Sequence, residues 1–337
     1  MIAIAKTRPE AGLELIEVDA SPLGPGQVRV RVEHGSVCGT DLHIHSWDGW
    51  AAGRIKPTRI IGHEFCGTIT EVAPDVTERK VGDYVASESH IVCGTCKQCR
   101  TGNGHICENT VILGVDIDGG FRPETTIPWQ NARPIPASVP RNVASMLDAL
   151  GNGVHTVMAG PVEGHTVLIT GLGPIGLFAV AICKALGAAK IYATEISEFR
   201  TDLGYQLGAD KVIDPTKHHV LNELKTEVDC TLEMSGHPTS LPLAIEATRP
   251  GGRISLLGVF PDRLNNVDFN QVVFKGLNVQ GIVGRRIWET WDQMSWLLTE
   301  KNLNVLPVIT HQMPYTEVLD AMKIMKEGRA GKIVLDF

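Results

Sequence analysis

Residues 1–150 alternate in short pieces. Gln27-Val28-Arg29-Val30-Arg31-Val32-Glu33 steps polar, apolar, polar, the period of a strand with one buried face, and residues 13–18 do the same. Pro22, Gly24, Pro25 and Gly26 between them predict a turn. Further strands are expected at 67–72 and 83–86. Near residue 150 the rhythm changes. Residues 166–170 form a short continuous apolar run, the mark of a buried strand, followed by glycines and a helix-length apolar segment at 175–186. Strands are then expected at 190–195, 212–214, 228–234, 253–259 and 279–283, with helix-length stretches such as 197–207 between most of them. Such alternation predicts an α/β fold with a doubly wound parallel sheet. The tail from Trp288 to Phe337 reads as two helical segments around Pro307 and a closing apolar run at 332–335, expected to return to the β-rich first domain.

A length of 337 residues fits two domains. The apolar fraction of 43% and charged fraction of 20% exclude intrinsic disorder. Net charge is −7 with no basic block, which argues against a nucleic-acid partner. No stretch approaches the ~20 apolar residues a membrane span needs. The apolar run at the N-terminus is too short for a signal-peptide core, so a cytoplasmic protein is expected. In that reducing compartment the eight cysteines read as metal ligands, catalytic groups or core residues rather than disulfides.

Gly171-Leu172-Gly173-Pro174-Ile175-Gly176 is a G-x-G-x-x-G. Alone the pattern is weak in a chain with 35 glycines, but here it follows an expected strand and opens an expected helix. Gly171 would allow the tight turn, Gly173 the approach of a pyrophosphate, and Gly176 the helix–strand contact. Glu195 ends the next strand, 19 residues beyond Gly176, where a carboxylate accepts from ribose hydroxyls and repels a 2′-phosphate. That favours NAD over NADP. Arg200 nearby would receive a 2′-phosphate, stack on adenine, or stand as a solvated helix charge.

Cys93, Cys96, Cys99 and Cys107 fall within 15 residues and suit a tetrahedral structural zinc. A ferredoxin-type cluster fits less well, because seven residues precede the last cysteine and Glu108 follows it. A second constellation joins Cys38-Gly39-Thr40-Asp41-Leu42-His43 to Gly62-His63-Glu64. Cys38, His63 and a carboxylate would supply the ligands of a catalytic zinc, although by spacing alone a lone Cys and a lone His are more often core residues. Cys66, Cys183 and Cys230 lie in apolar runs and read as small buried hydrophobes.

Taken in order, the Cys38 and Gly62 segments, the four-cysteine loop and the glycine turn resemble the zinc-dependent medium-chain dehydrogenases over essentially the whole chain. Segments 38–50, 151–156 and 284–291 are most similar to its threonine-oxidising members. The resemblance implies a GroES-like β-rich catalytic domain over 1–147 and 288–337 and a Rossmann domain over 148–287, with cofactor and zinc in the cleft between them. It implies a homotetramer with two zinc ions per subunit that oxidises L-threonine, its small-molecule substrate, to 2-amino-3-oxobutanoate with NAD. Cys38, His63 and Glu64 match catalytic-zinc positions, and Thr40 and His43 match a proton relay. Asp148 matches an acidic position beside the zinc that assists the relay. Gly171, Gly173, Ile175, Gly176, Glu195, Arg200, Leu257, Gly258, Val259, Ile282 and Val283 match cofactor contacts.

Two departures stand out. The family's Gly-Gly-Phe-Ala-Glu-Tyr strand is here Gly119-Gly120-Phe121-Arg122-Pro123-Glu124, and Pro123 predicts an edge or broken strand. Ala149-Leu150 follow Asp148 where the family has Pro-Phe. Substrate carboxylate recognition falls to Arg285 or Arg286, unless both are solvated or phosphate-facing, and His90 either lines the substrate pocket or simply ends a strand. The competing activities are a polyol or 2,3-butanediol dehydrogenase of the same fold and, outside enzymes, a silent zinc- and NAD-binding regulator.

Overall fold

The computed structural model describes residues 1–261 and 263–337. The chain divides into two compact units, Met1–Ala149 with Ile309–Phe337, and Leu150–Val308.

In the first unit the alternating segment forms the strand Gln27–Ser36, the spine of the larger sheet. Its order is Ala132–Pro134, Tyr84–Ser87, Phe65–Val72, Gln27–Ser36, Lys332–Asp336 and Ile309–Pro314. Val28, Val30 and Val32, every second residue of the spine, are buried against Phe65, Ile69, Val85 and Ile127. Full burial of each such side chain stabilises by about 1.5–3 kcal/mol. Among the described residues, Glu124–Pro128 pairs with the spine alone, from Arg31↔Glu124 to Gln27↔Pro128. Pro123 lies just outside it and uses its carbonyl to accept from Val32 N–H at 2.9 Å. The missing donor therefore falls where the ladder does not need one.

The tail differs from expectation. Residues 309–314, read as part of a helical stretch, form a strand parallel to Lys332–Asp336. Residues 288–308, expected with the first unit, belong to the second. The helix Glu289–Thr299 sends Trp291, Met294 and Leu297 into that unit's interior. A Cβ on Gly151 would lie 3.3 Å from the Met294 methyl, so the helix packs on a segment of the same unit.

The second unit holds a six-stranded parallel sheet. Read across the sheet its strands are Lys211–Ile213, Lys190–Thr194, Thr166–Thr170, Val228–Glu233, Thr248–Leu256 and Asn278–Gly281, which are third, second, first, fourth, fifth and sixth in the chain. This is the Rossmann order, and a β-rich unit joined to a parallel α/β unit is what the sequence pattern predicts. The helix Pro174–Ala185 buries every residue from Gly176 to Cys183. No helix among the described residues is long and apolar enough to cross a membrane.

Candidate active site and metal centres

Cys38 is the residue before the helix Gly39–Ser46, and its N–H donates to Asp41 Oδ2 at 2.9 Å. This local loop fixes the Cys38 side chain beside two residues that come from the turn 62–64. The metal-ligating atoms of Cys38, His63 and Glu64 all lie within 4.8 Å of one another. His63 Nδ1 stands 3.9 Å from Asp41 Oδ1, and His63 Nε2 stands 4.0 Å from Glu64 Oε1. Asp41 Oδ1, His63 Nδ1 and Glu64 Oε1 are buried without a hydrogen-bond partner. Burial works against a charged His63, but the Asp41 carboxylate, the Cys38 sulfur and Glu64 raise it to about 10. A nest this electron-rich retains a proton far above neutrality, and its donor set suits the divalent cation that would replace that proton.

Behind the nest stands a residue the sequence did not flag. Lys332, 1% exposed, opens the last strand and forms a buried ion pair with Glu64 Oε2. Its Nζ also donates to the Val37 carbonyl at 3.2 Å, and Ser36 Oγ donates to the same Glu64 oxygen at 2.7 Å. Burial pushes the Glu64 carboxyl up, but Lys332 and His63 outweigh it and hold it below its ordinary value. One carboxylate oxygen is thus fixed by cation and hydroxyl while the other faces the nest. The sequence signal was a lysine at the head of an apolar strand; its partner lies 268 residues away.

Thr40 Oγ1 is 4.0 Å from Cys38 Sγ. His43, on the same helix, has a largely exposed side chain, and its Nδ1 lies 2.5 Å from Asp48 Oδ2. Asp148 is buried, accepts from Ser89 N–H at 3.0 Å and lies outside the three-residue cluster. Glu88 Oε1 accepts from His90 N–H at 2.8 Å and sits 3.3 Å from its ring nitrogen. Arg285 is 1% exposed inside the second unit and donates to Asn152 Oδ1 at 3.2 Å, whereas Arg286 is half-exposed beside Glu289.

The loop 93–107 gathers four sulfurs within ligand range. Cys93 and Cys107 sulfurs are 3.5 Å apart, and N–H groups of Cys96 and Asn109 donate to sulfurs at 3.3 Å. The Cys96 N–H, the Thr95 hydroxyl and amide, and the Asn109 side-chain amide bring the Cys93 thiol down to about 5. Burial and the neighbouring Cys96 and Cys107 push Cys99 up to about 12. A bound cation would hold all four sulfurs as thiolates. None of the eight cysteines forms a disulfide. Cys66, Cys183 and Cys230 are buried, and burial raises all three thiols.

In the second unit the glycine turn separates two demands. Gly171 has φ +84°, and a Cβ on Gly176 would sit 2.0 Å from the Gly171 carbonyl oxygen, so the fold itself requires both. A Cβ on Gly173 would meet nothing within 4 Å. That open face lies at the N-terminus of the helix Pro174–Ala185, where free amides favour an anion. Glu195 closes the other side, accepting from Leu172, Ile196 and Ser197 N–H groups at 2.8–2.9 Å. Ile175 lies in the first helical turn, and Arg200 N–H reaches Ser197 Oγ at 3.5 Å. Leu257, Gly258, Val259, Ile282 and Val283 follow the C-terminal ends of the fifth and sixth strands, the edge where parallel sheets bind ligands. Val259 is 90% exposed, while Ile282 is 5% exposed.

These two halves define a class. Residues 24–137 match the alcohol dehydrogenase GroES-like domain and residues 174–300 the zinc-binding dehydrogenase family, and the chain belongs to that zinc-dependent dehydrogenase family. Among its relatives is L-threonine 3-dehydrogenase of Pyrococcus furiosus, 46% identical and covering 99% of this chain and 98% of its own. The L-threonine 3-dehydrogenase of Bacillus licheniformis is 42% identical over the same shares of both chains. Among solved structures, an Escherichia coli short chain alcohol dehydrogenase complexed with NADH has a TM-score of 0.91 at 28% identity, covering 100% of this chain and 99% of that one. Galactitol-1-phosphate dehydrogenase from Escherichia coli also has a TM-score of 0.91, at 27% identity and full coverage of both chains.

Proposed function

We propose that this protein oxidises L-threonine to 2-amino-3-oxobutanoate with NAD. The observation that carries the chemistry is the convergence of Cys38, His63 and Glu64, whose ligating atoms all lie within 4.8 Å of one another. The substrate assignment is supported by full-length likeness to L-threonine 3-dehydrogenases at 42–46% identity. Cys38, His63 and Glu64 would hold a zinc ion, which when bound supplies Lewis-acid polarisation of the substrate hydroxyl, and bound NAD supplies the hydride acceptor.

The chain's own residues handle the proton and the geometry. Thr40 receives the hydroxyl proton and passes it to His43, whose exposed ring returns it to water. Asp148, held by the Ser89 amide, assists that relay from a fixed position. Two electrons and one proton leave threonine as hydride, and one further proton reaches solvent. Gly173 and the helix N-terminus carry the pyrophosphate, and Glu195 carries the adenosine ribose. Cys93, Cys96, Cys99 and Cys107 hold a second, structural zinc.

The working protein is a homotetramer. Every residue of the edge strand Asn278–Gly281 is exposed, and Phe269, Val273 and Phe274 on the preceding helix are 67%, 74% and 87% exposed. An open edge beside an apolar face is a template for self-association. Light scattering that returns four copies of the 36.5 kDa chain supports this, and a monomer contradicts it.

The test of function is initial-rate NADH formation with L-threonine, sorbitol and 2,3-butanediol. Threonine should give the highest kcat/KM. Preference for either diol assigns the site to the polyol or butanediol activity, and absence of turnover on all three, with zinc and NAD bound, indicates a regulator.

A further inference from the structure

The relay histidine is held by a carboxylate that the relay itself does not explain. The helix Gly39–Ser46 ends at Trp47, a non-glycine residue in the left-handed region at φ 53°. Trp47 is anchored there by packing on the unit's core and by the Lys6 ammonium 4.9 Å from its ring centre. The next helix, Gly49–Arg54, begins at once, with Asp48 as its N-cap. This abrupt link brings Asp48 back onto His43, five positions earlier.

The two oxygens of Asp48 do different things. Oδ1 accepts from Ala51 N–H at 3.0 Å, which locks the carboxylate in place as a helix cap. Oδ2 faces His43 Nδ1 at 2.5 Å. The Trp50 ring lies edge-on to the imidazole at 6.1 Å between centres. Through the Ala51 amide first and His43 second, Asp48 is held below its ordinary carboxylate range, so it is ionised at neutral pH. An ionised carboxylate only accepts hydrogen bonds, so His43 Nδ1 must be the nitrogen that carries hydrogen. In the neutral ring Nε2 is then the acceptor.

We propose that Asp48 is a positioning residue for the proton relay: it fixes His43 as the Nδ1–H tautomer, keeping Nε2 free to accept the substrate's hydroxyl proton. This rests on the reading of Thr40 and His43 as the relay. When Nε2 takes the proton, the imidazolium formed is stabilised by the Asp48 carboxylate and discharges the proton to water. No group but the substrate hydroxyl and the solvent changes its proton count over a turnover.

Asp48→Asn separates the two duties of the side chain. Asparagine caps helices as well as aspartate does, so the amide oxygen stays on Ala51 N–H and the fold is kept. The amide NH2 then faces His43 Nδ1 and selects the opposite tautomer, with Nε2 carrying hydrogen. Turning the amide over restores the tautomer only by giving up the cap, a penalty of about five- to tenfold in population. The expected result is a kcat on threonine about tenfold lower, with threonine KM and NAD affinity within about twofold and an unchanged melting profile. In 15N-histidine-labelled enzyme, the His43 resonance, assigned by its loss in His43→Gln, should report Nδ1–H in the wild type and Nε2–H in Asp48→Asn. A kcat loss in His43→Gln with none in Asp48→Asn overturns the proposal, as does a wild-type His43 in the Nε2–H form. No loss in either variant, while the wild type oxidises threonine, removes the relay on which it rests. A wild type that oxidises no threonine refutes the functional reading instead, and the labelled resonance still decides the orientation of His43.

Discussion

Replacing Lys332 by methionine removes the cation behind Glu64 while keeping nearly the same side-chain length, so the cavity contribution is small. The side chains of Lys332 and Glu64 are 2% and 1% exposed. Among the described residues, Glu64 would retain the Ser36 hydroxyl, 2.7 Å away, as the one remaining donor to Oε2. Removing one partner of a buried ion pair costs about 3–5 kcal/mol. Protonation of the abandoned carboxylate caps that loss. Neutralising a glutamate of ordinary pKa about 4.3 at pH 7 costs about 3.7 kcal/mol, so the expected destabilisation is about 3–4 kcal/mol. Urea unfolding of the chelator-stripped protein at pH 7, followed through the first unit's transition, measures it. The sign of the pH dependence is fixed by Glu64, whose folded value lies below its unfolded one. Its contribution is present above about pH 4.3 and is lost as pH falls through the folded value, so wild type and variant should converge in acid. In the zinc-loaded protein Glu64 would regain a partner through Oε1, and the gap should narrow. A loss under about 1 kcal/mol in the stripped protein, or a gap that persists unchanged into acid, refutes the reasoning.

Other consequences follow from the same contacts. Gly176→Ala forces a Cβ to within 2.0 Å of the Gly171 carbonyl and should destabilise or misfold the second unit, whereas Gly173→Ala meets nothing within 4 Å and should melt like wild type. Calorimetric NAD titration should nevertheless show Gly173→Ala binding about tenfold more weakly, because the added methyl fills the face left for the pyrophosphate. Burial lowers the His155 imidazole despite its 2.9 Å contact with the Gly284 carbonyl. Its contribution to stability should therefore be complete above the unfolded histidine value of about 6.5 and decline as pH falls through it, and pH-dependent melting of His155→Asn should lack that part of the slope. Thiol titration of the native protein should find the four loop cysteines protected until a chelator is added, with Cys66, Cys183 and Cys230 unreactive until unfolding.

The second unit was the more legible half. A strand buried on both faces is an unbroken apolar run, so the first strand was placed at Thr166–Thr170 without error, and the glycine turn followed where expected. The fifth strand was expected at 253–259 but runs Thr248–Leu256. Pro250, Gly251 and Gly252 hide its start, and the pairing shifts register between Val228 and Cys230. The strand Ile309–Pro314 escaped because polar His311 and Gln312 and the flanking prolines leave no clean alternation. In the candidate site, spacing alone left Cys38 and His63 as ordinary core residues; the family resemblance singled out Cys38, His63 and Glu64, which the fold does bring together. Lys332 and Ser36 did not announce themselves, because a buried ion pair is a property of two distant segments and leaves no local pattern. Asp48 was read only as part of a family segment. Its role follows from the left-handed turn at Trp47, which the sequence pattern does not encode.

The central claim is that threonine oxidation runs through the Cys38, His63 and Glu64 nest. The most direct measurement is steady-state NADH formation from L-threonine by the wild type and by Cys38→Ser, each with its bound zinc counted. The account predicts threonine-dependent NADH formation in the wild type, and a Cys38→Ser protein that keeps the zinc of the four-cysteine loop, loses the other and forms no NADH. Undiminished NADH formation by a Cys38→Ser protein lacking that second zinc would contradict it.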